Sequence, residues 1–270
     1  MPSPINTAIA EGRIVENRPL AAATFLLKIN CPEVAAQAAA GLFVKVRAWG
    51  PPESGFGPLL DRPFSIHDSD GENLSLLCRV VGHGTRIMSQ SPPGTPIKVT
   101  GPLGRGLSND FGQVSGAYLV AGGIGLAPMA LALRCLSRAG RPATLFYGER
   151  AKVLQVSENW LKSWVGEYQA VCEDGLGYGH KGLVTAPLEA ALREQIRPIF
   201  ACGPTPMLAA VSRLAAAYKA PVMTSVEAGM ACGLGVCLTC SLPLTGGGRL
   251  RVCQEGPVVD GAAIDWDGVR

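Results

Sequence analysis

The first part of the chain consists of short apolar runs separated by glycine and proline clusters. The clearest runs cover residues 24–29, 42–47, 74–81 and 97–99. Short runs bounded by turn-forming residues are typical of β-strands, and several in succession favour an antiparallel barrel. We therefore predict an antiparallel β-barrel over residues 1–110.

The pattern changes after Gly112, where apolar strands begin to alternate with helices. The predicted strands cover residues 118–121, 144–147, 168–172 and 198–202. The predicted helices cover residues 128–138, 188–195 and 207–217. This alternation favours an α/β domain with a doubly wound parallel sheet, whose ligands bind at the carboxyl ends of the strands. We place this domain at residues 111–225.

The remaining segment, residues 226–270, is rich in glycine and cysteine and too short to form an independent apolar core. Its cysteines follow the order C-x4-C-x2-C…C, which is the plant-type spacing for a [2Fe-2S] cluster. The candidate ligands are Cys232, Cys237, Cys240 and Cys253. A bound cluster would hold the segment together, so we predict a small C-terminal [2Fe-2S] subdomain.

Two glycines between the first two of these cysteines support the cluster. Gly233 and Gly235 allow the backbone to come close to inorganic sulfides and to adopt positive φ. A zinc site is the first alternative, but zinc sites usually contain two C-x2-C pairs, and the four-residue gap fits them poorly. Buried cysteines without a ligand are the second. Three other cysteines lack any such spacing and are expected to be spectators: Cys31, Cys135 and Cys172.

Composition narrows the class of protein. The chain has nine cysteines and opens on a polar Met-Pro-Ser-Pro sequence without a charged-then-apolar leader, so we expect a cytoplasmic protein with reduced thiols. No stretch reaches the roughly 20 apolar residues that cross a bilayer. The net charge of +3 is spread thinly and aromatic residues make up 6%. These features predict neither nucleic-acid nor membrane binding.

Two motifs in the predicted barrel could bind a phosphate-bearing cofactor. Arg62-Pro63-Phe64-Ser65 places an arginine fork beside a rigid proline, with a hydroxyl three residues later. Gly82-His83-Gly84-Thr85 precedes an apparent short helix at residues 87–89, whose N-terminus could hold a phosphate. A β-turn with a surface arginine is the alternative for each motif alone.

The α/β domain carries two further candidates at strand ends. Gly122, Gly123 and Gly125 connect a strand to a helix, where a pyrophosphate could approach the backbone. Tight packing without a ligand would also explain them. Cys202 and Gly203 end another strand, so Cys202 is a candidate catalytic residue at the edge where a nicotinamide could meet a flavin. A buried small residue is the alternative for Cys202.

The motifs and their order resemble one known family. R-P-x-S, G-x-G-T, G-G-I-G-x-A-P, C-G-P-x-x-M, C-x4-C-x2-C and V-C-x-x-G-P follow one another between about residue 8 and residue 265. In this the chain resembles the electron-transfer subunits of class 1B dihydroorotate dehydrogenases, within the ferredoxin-NADP reductase superfamily. The cysteine order is the most specific of these motifs.

The resemblance implies FAD in the barrel, NAD on the parallel-sheet domain and a [2Fe-2S] cluster bound by the four C-terminal cysteines. The family's FAD contacts fall on Arg62, Pro63, Phe64, Ser65, Leu77, Cys78, Arg79, Gly84 and Thr85. Cys78 stands where the superfamily often has a tyrosine. The three histidines, at positions 67, 83 and 180, lie in loop-like contexts and are expected to be polar surface groups.

The resemblance also implies a partner and a reaction. In the family, an FMN-containing catalytic subunit oxidises dihydroorotate, and electrons pass through the cluster and FAD to NAD+ in pyrimidine biosynthesis, in a complex of two copies of each subunit. A reductase or diaphorase subunit of another redox complex is an alternative. So is the flavin subunit of a bifurcating transhydrogenase, although that family has aspartate where this chain has Cys232. A redox-sensing regulatory module is a third hypothesis.

Overall fold

Six antiparallel strands close into a barrel in the first part of the computed structural model, which describes residues 7–48, 57–107 and 114–269. The strands are β1 (Ala8–Ala21), β2 (Thr24–Asn30), β3 (Phe43–Arg47), β4 (Arg62–Ser69), β5 (Asn73–Arg79) and β6 (Pro96–Leu103). They pair in the order β1-β2-β5-β4-β3-β6. Fully buried aliphatic side chains, among them Leu27, Ile66 and Leu76, fill the barrel core. The predicted barrel is confirmed.

Two helices complete the barrel, α1 (Pro32–Ala35) and α2 (His83–Gln90). Helix α2 begins four residues earlier than the sequence predicted. The hydroxyl of Thr85 explains the early start, because its Oγ1 accepts hydrogen bonds from the backbone N–H groups of Val81 (2.9 Å) and Gly82 (3.1 Å). These contacts satisfy backbone donors at the helix N-terminus.

A seven-stranded sheet follows the barrel. Its strands are β7 (Ala117–Gly122), β8 (Ala143–Glu149), β9 (Glu167–Cys172), β10 (His180–Lys181), β11 (Ile199–Cys202), β12 (Val222–Ser225) and β15 (Val258–Asp260). The order is β10-β9-β8-β7-β11-β12-β15, and the first six strands are parallel. Strand order therefore reverses between β7 and β11. A crevice for ligands forms at such a switch point.

Helices connect most of the parallel strands, and all but the helix between β8 and β9 were predicted. They are α3 (Met129–Arg138), α4 (Glu158–Lys162), α5 (Thr185–Glu194) and α6 (Thr205–Tyr218). A 3-10 turn at Gly123–Leu126 joins β7 to α3. In the described part of the chain, no helix is both long enough and apolar enough to span a membrane.

The C-terminal segment packs on both preceding units. It contains the hairpin of β13 (Ser241–Pro243) and β14 (Arg249–Arg251) and the short helix α7 (Val252–Glu255). Strand β15 then pairs antiparallel with β12 at the edge of the sheet. The buried cysteines of this segment, Cys240 and Cys253, share one apolar cluster with Phe43 and Leu103 of the barrel.

The expectation that all three histidines are surface groups is wrong for His67. Its side chain is buried on β4, where Nδ1 lies 2.8 Å from the carbonyl oxygen of Ala127. The ring stacks on Trp160 and meets Trp164 edge-on. Because burial disfavours the charged imidazolium, the pKa of His67 is lowered. His83 and His180 are exposed, as expected.

Candidate functional site

A cleft of about 560 Å³ opens at the carboxyl ends of the parallel strands. Its walls come from the ends of β7, β8, β11 and β12, from the N-terminus of α6 and from the C-terminal tail. The residues that line it include Arg79, Gly122, Gly123, Glu149, Gly203, Glu227 and Trp266. The cleft is therefore at the position that the strand order predicts for a nucleotide.

The glycines at the ends of β7 and β11 allow close packing of the backbone. A Cβ on Gly122 would lie 2.5 Å from Sδ of Met207, and one on Gly125 would lie 2.1 Å from the carbonyl oxygen of Cys202. Gly123 has a φ of +55°. Gly122, Gly123 and Gly203 line the cleft, whereas Gly125 lies outside its walls. Packing alone explains Gly125, while the others also expose backbone to a ligand.

Cys202 lies at the edge of this cleft but does not line it. Its side chain is 1% exposed at the end of β11. Burial raises the pKa of the thiol far above its ordinary value, and the nearby Glu227 carboxyl adds to the effect. Cys202 is therefore a neutral thiol near pH 7, which is unsuited to nucleophilic attack as a thiolate.

Glu227 is a site residue that sequence reasoning missed. It follows β12 at the same sheet edge and lines the cleft. The residue as a whole is exposed, but desolvation by the cleft walls raises the pKa of its carboxyl group. Its position directly after a strand of the parallel sheet was the available signal, but β12 itself was not predicted.

Arg79 connects the cleft to the barrel. It ends β5, and its guanidinium forms an ion pair of 2.6 Å with Glu149 at the end of β8. Its Nε is buried and has no hydrogen-bond partner among the described residues. An unpaired buried donor is costly, so this nitrogen is suited to an acceptor supplied by a ligand, such as a phosphate oxygen.

The other predicted FAD contacts lie on neighbouring elements of the barrel. Residues 62–65 are half-buried at the start of β4, and Arg62 Nη1 donates to the carbonyl oxygen of Leu60 at 2.9 Å. Leu77 and Cys78 are buried on β5. Burial leaves the Cys78 side chain inside the barrel core, so it presents no surface for stacking on a ring.

Gly84 and Thr85 are buried in the first turn of α2. The Thr85 hydroxyl donates to the Gly82 carbonyl in addition to the two bonds that it accepts. This side chain therefore stabilises the first turn of α2 through hydrogen bonds to the backbone. A phosphate at this place would meet the backbone amides of the turn.

The four C-terminal cysteines lie in one loop and one short helix. Backbone N–H groups of Leu234 and Cys237 donate to Cys232 Sγ at 3.3 and 3.5 Å, and Gly235 N–H donates to Cys253 Sγ at 3.1 Å. Gly233 and Gly235 have φ values of +74° and +80°. Amides directed at cysteine sulfurs are the arrangement that stabilises thiolates, and hydrogen bonds to sulfur tune iron–sulfur potentials.

These cysteines interact in two pairs. Cys232 interacts with Cys237 near the surface, and Cys240 interacts with Cys253 in the interior. In the described residues, no group of three or more His, Cys, Asp or Glu side chains is arranged around a single ion. The order of the four cysteines along the chain remains the observation that favours a [2Fe-2S] cluster over a zinc ion.

The surroundings shift the thiol pKa values in opposite directions. Hydrogen bonds, first from the Thr239 side chain, lower the pKa of Cys237 to about 6. The backbone N–H of Leu234 is the main cause of the lowered pKa of Cys232. Burial raises the pKa of Cys253 to about 11. The outer pair, Cys232 and Cys237, is therefore readily available as thiolate ligands, whereas Cys253 requires a bound cation to lose its proton.

Three apolar side chains surround the outer pair. Leu234, Val236 and Leu238 are all more than half exposed, and Val236 reaches 80%. Exposed apolar residues grouped in this way indicate a surface that another protein covers.

Comparison with known proteins agrees with this geometry. The family model described as the iron-sulfur cluster binding domain of dihydroorotate dehydrogenase B matches residues 227–265, which include all four cysteines. The chain is 39% identical to the dihydroorotate dehydrogenase B (NAD(+)) electron transfer subunit of Clostridium acetobutylicum, over 83% of this chain and 85% of that one. It is 32% identical to the subunit of the same name from Desulforamulus reducens, over 90% and 93%.

A solved structure of an NADH-dependent reduced ferredoxin-NADP oxidoreductase, studied for flavin-based electron bifurcation, has the same fold. The TM-score is 0.82 at 27% identity, over 96% of this chain and 91% of that one. The predicted ferredoxin-NADP reductase architecture is thereby confirmed.

Proposed function

The chain belongs to the family of dihydroorotate dehydrogenase B (NAD(+)) electron transfer subunits, and from this membership we propose that it carries electrons from a dihydroorotate-oxidising catalytic subunit to NAD+. The observation that carries the proposal is the presence, in one chain, of a cysteine loop suited to a [2Fe-2S] cluster and a nucleotide cleft next to a flavin-type barrel. The product of the partner's reaction would enter pyrimidine biosynthesis in the cytoplasm.

In this proposal each of the three parts of the chain binds one redox group. We assign FAD to the barrel (residues 1–110), NAD to the sheet domain (111–225) and the [2Fe-2S] cluster to the C-terminal subdomain (226–270). When bound, the flavin exchanges a hydride with the nicotinamide and single electrons with the cluster, which is chemistry that amino-acid side chains do not supply.

The side chains of the barrel hold and orient the flavin in this proposal. Arg62 provides a charged fork for the pyrophosphate, and the unpaired Nε of Arg79 provides a second donor. Ser65 is placed to hydrogen-bond a polar edge of the ring. Gly84 and Thr85 contribute backbone amides, and Leu77 and Cys78 support the site from the barrel core.

The sheet domain binds the nicotinamide nucleotide in the cleft. Gly122, Gly123 and Gly203 allow close approach of the pyrophosphate to the backbone. Cys202 supports the cleft floor as a neutral thiol, and its burial argues for a positioning role in place of covalent chemistry. Glu227 adds an ionisable carboxyl group to the cleft wall, and desolvation raises the pKa of that group.

The cluster subdomain faces the partner. Cys232, Cys237, Cys240 and Cys253 would ligate the two irons. The apolar rim of Leu234, Val236 and Leu238 would be covered by the FMN-containing catalytic subunit, in a complex with two copies of each chain. Covering the rim would also exclude water and oxygen from the cluster.

Co-expression with a dihydroorotate dehydrogenase catalytic subunit tests the proposal. A stable complex that reduces NAD+ with dihydroorotate is expected. A chain that contains iron and FAD and oxidises NADH with dyes, but forms no such complex, would support the alternative of a diaphorase subunit in another redox system. The similarity to the bifurcating oxidoreductase is the observation that keeps that alternative open.

A further inference from the structure

A buried lysine of the barrel contacts the loop that carries the first cluster cysteine. Lys45 lies in the middle of β3, and its side chain is 6% exposed. Its Nζ donates to the carbonyl oxygens of Ala231 and Cys232, the second at 3.0 Å. In the part of the chain that the structure describes, no other lysine or arginine is buried to this degree.

The charge of this lysine has no carboxylate counterion among the described residues. Across residues 7–48, 57–107 and 114–269, no carboxylate lies within ion-pair distance of Nζ. An isolated buried cation is costly unless it meets carbonyl dipoles or a negative charge. The dipoles of the two carbonyl groups offset part of this cost. A negatively charged group bound in the adjacent loop would offset the remainder.

The loop is shaped to lie against the alkyl part of the same side chain. A Cβ on Gly233 would lie 2.6 Å from Cδ of Lys45 and 3.6 Å from Cδ1 of Leu103. Gly233 also has a φ of +74°, which disfavours any residue with a side chain. The glycine that follows the first ligand is therefore required by the contact with Lys45 as well as by the turn.

The two hydrogen bonds also fix the direction of the peptide groups. In a planar trans peptide the C=O and N–H groups point to opposite sides. Holding the carbonyls of Ala231 and Cys232 toward Lys45 turns the N–H groups of Cys232 and Gly233 to the other side of the loop. The next amide, that of Leu234, donates to Cys232 Sγ at 3.3 Å.

We propose that Lys45 is a positioning residue for the cluster: it anchors the loop of Cys232 to the flavin barrel, and its buried positive charge stabilises the reduced cluster. The inference rests on the proposed [2Fe-2S] site. A cluster bound by four thiolates is negatively charged, and reduction adds one more negative charge. A nearby cation in a poorly solvated position therefore favours reduction, since net charge and solvent exposure are main determinants of cluster potential.

Three variants of the full chain, loaded with FAD and cluster, test this role. Lys45→Met removes the charge and the donors but keeps most of the apolar length, and Lys45→Arg keeps the charge. Lys98→Met is the matched control, because Lys98 lies on the neighbouring strand β6 with its side chain 45% exposed. Redox titration followed by electron paramagnetic resonance gives the cluster potential. Amide hydrogen exchange of residues 231–236, measured after iron removal from every variant, reports the anchoring.

We expect Lys45→Met to lower the equilibrium constant for one-electron reduction at least tenfold, which is a shift of about 59 mV to more negative potential. Exchange of the loop amides should become at least tenfold faster. Lys45→Arg should retain most of the wild-type potential, and Lys98→Met should behave as wild type in both measurements.

Wild-type values for Lys45→Met in both measurements would overturn the proposal. Faster exchange with an unchanged potential would refute the electrostatic role, and a shifted potential with unchanged exchange would refute the anchoring role. A failure of the proposed function, in which the chain forms no complex that reduces NAD+ with dihydroorotate, would leave both measurements on the chain unchanged. A failure of the proposed [2Fe-2S] site would instead be seen as a wild-type chain that contains no iron. That result would refute the role of Lys45 as well.

Discussion

Arg79 and Glu149 form an ion pair of 2.6 Å that joins the end of barrel strand β5 to the end of sheet strand β8. The carboxylate is almost completely buried, and it also accepts a hydrogen bond from the backbone N–H of Arg150 at 3.0 Å. The pair borders the nucleotide cleft. It therefore fixes the barrel and the sheet domain relative to each other at the place where their two cofactors would meet.

Removing this carboxylate should destabilise the chain. Glu149→Ala leaves the half-buried guanidinium of Arg79 without its partner, so we expect a loss of about 2 kcal/mol in the free energy of unfolding. Urea unfolding of the FAD-loaded chain measures it. Glu189→Ala is the control, because its ion pair with Arg193 is solvent-exposed and should contribute little to stability. Equal losses in the two variants would contradict a special role for the buried pair.

The cluster assignment predicts the metal content of a cysteine variant. Cys237→Ala should lose about two irons per chain, as expected for a [2Fe-2S] centre, while FAD remains bound in the barrel. Cys135→Ala, at an exposed cysteine on α3, should keep both. Stoichiometric zinc in wild-type protein purified without oxygen would show that the loop binds a different metal.

The FAD assignment predicts a loss of affinity on removal of Arg62. Loss of a charge-assisted pair with the pyrophosphate in Arg62→Ala should weaken FAD binding by roughly 2–3 kcal/mol, or about 30- to 150-fold. Equilibrium binding to flavin-free protein, followed by flavin fluorescence, gives the affinity. Arg18→Ala, at an exposed position on β1, should bind FAD as wild type does. Unchanged affinity in Arg62→Ala would exclude the proposed contact.

The raised pKa of Glu227 in the cleft predicts a pH dependence of stability. Its pKa is raised from an ordinary value near 4.5 by burial, so the folded chain holds this proton more tightly than the unfolded chain. Stability should therefore fall as pH rises above that ordinary value, by no more than about 1.4 kcal/mol per pH unit, until the folded group has ionised. Glu227→Gln should lack this pH-dependent part of the free energy of unfolding. If the free energy of unfolding changed with pH equally in wild type and in Glu227→Gln, the prediction would be wrong.

Local patterns in the sequence predicted most of the strands and helices, but they missed elements that depend on distant pairing. Strand β1 (Ala8–Ala21) mixes apolar residues with charged ones and contains no apolar run longer than three residues. Strand β15 has three residues and is defined by its pairing with β12. His67 was misplaced because its burial depends on Trp160 and Trp164, which lie about a hundred residues further along the chain.

The residues of the site also divide into those that a sequence motif identifies and those that only the folded structure brings together. Cys232, Cys237, Cys240 and Cys253 could be grouped from spacing alone, because the spacing itself is the chemical signal. Glu149, Glu227 and Lys45 carry no motif. Glu149 and Lys45 are important because they are buried, and Glu227 because it lines the cleft, and these features depend on how the three units pack.

In the proposed electron path, the cluster is the obligatory bridge between the partner subunit and FAD. The decisive measurement is made on Cys253→Ser in the assembled complex, after the variant has been shown to lack iron. NADH-to-dye activity at FAD should be retained, while dihydroorotate-dependent reduction of NAD+ should be lost. If this iron-free variant still reduced NAD+ with dihydroorotate, electrons would reach FAD without the cluster and the proposed path would be wrong.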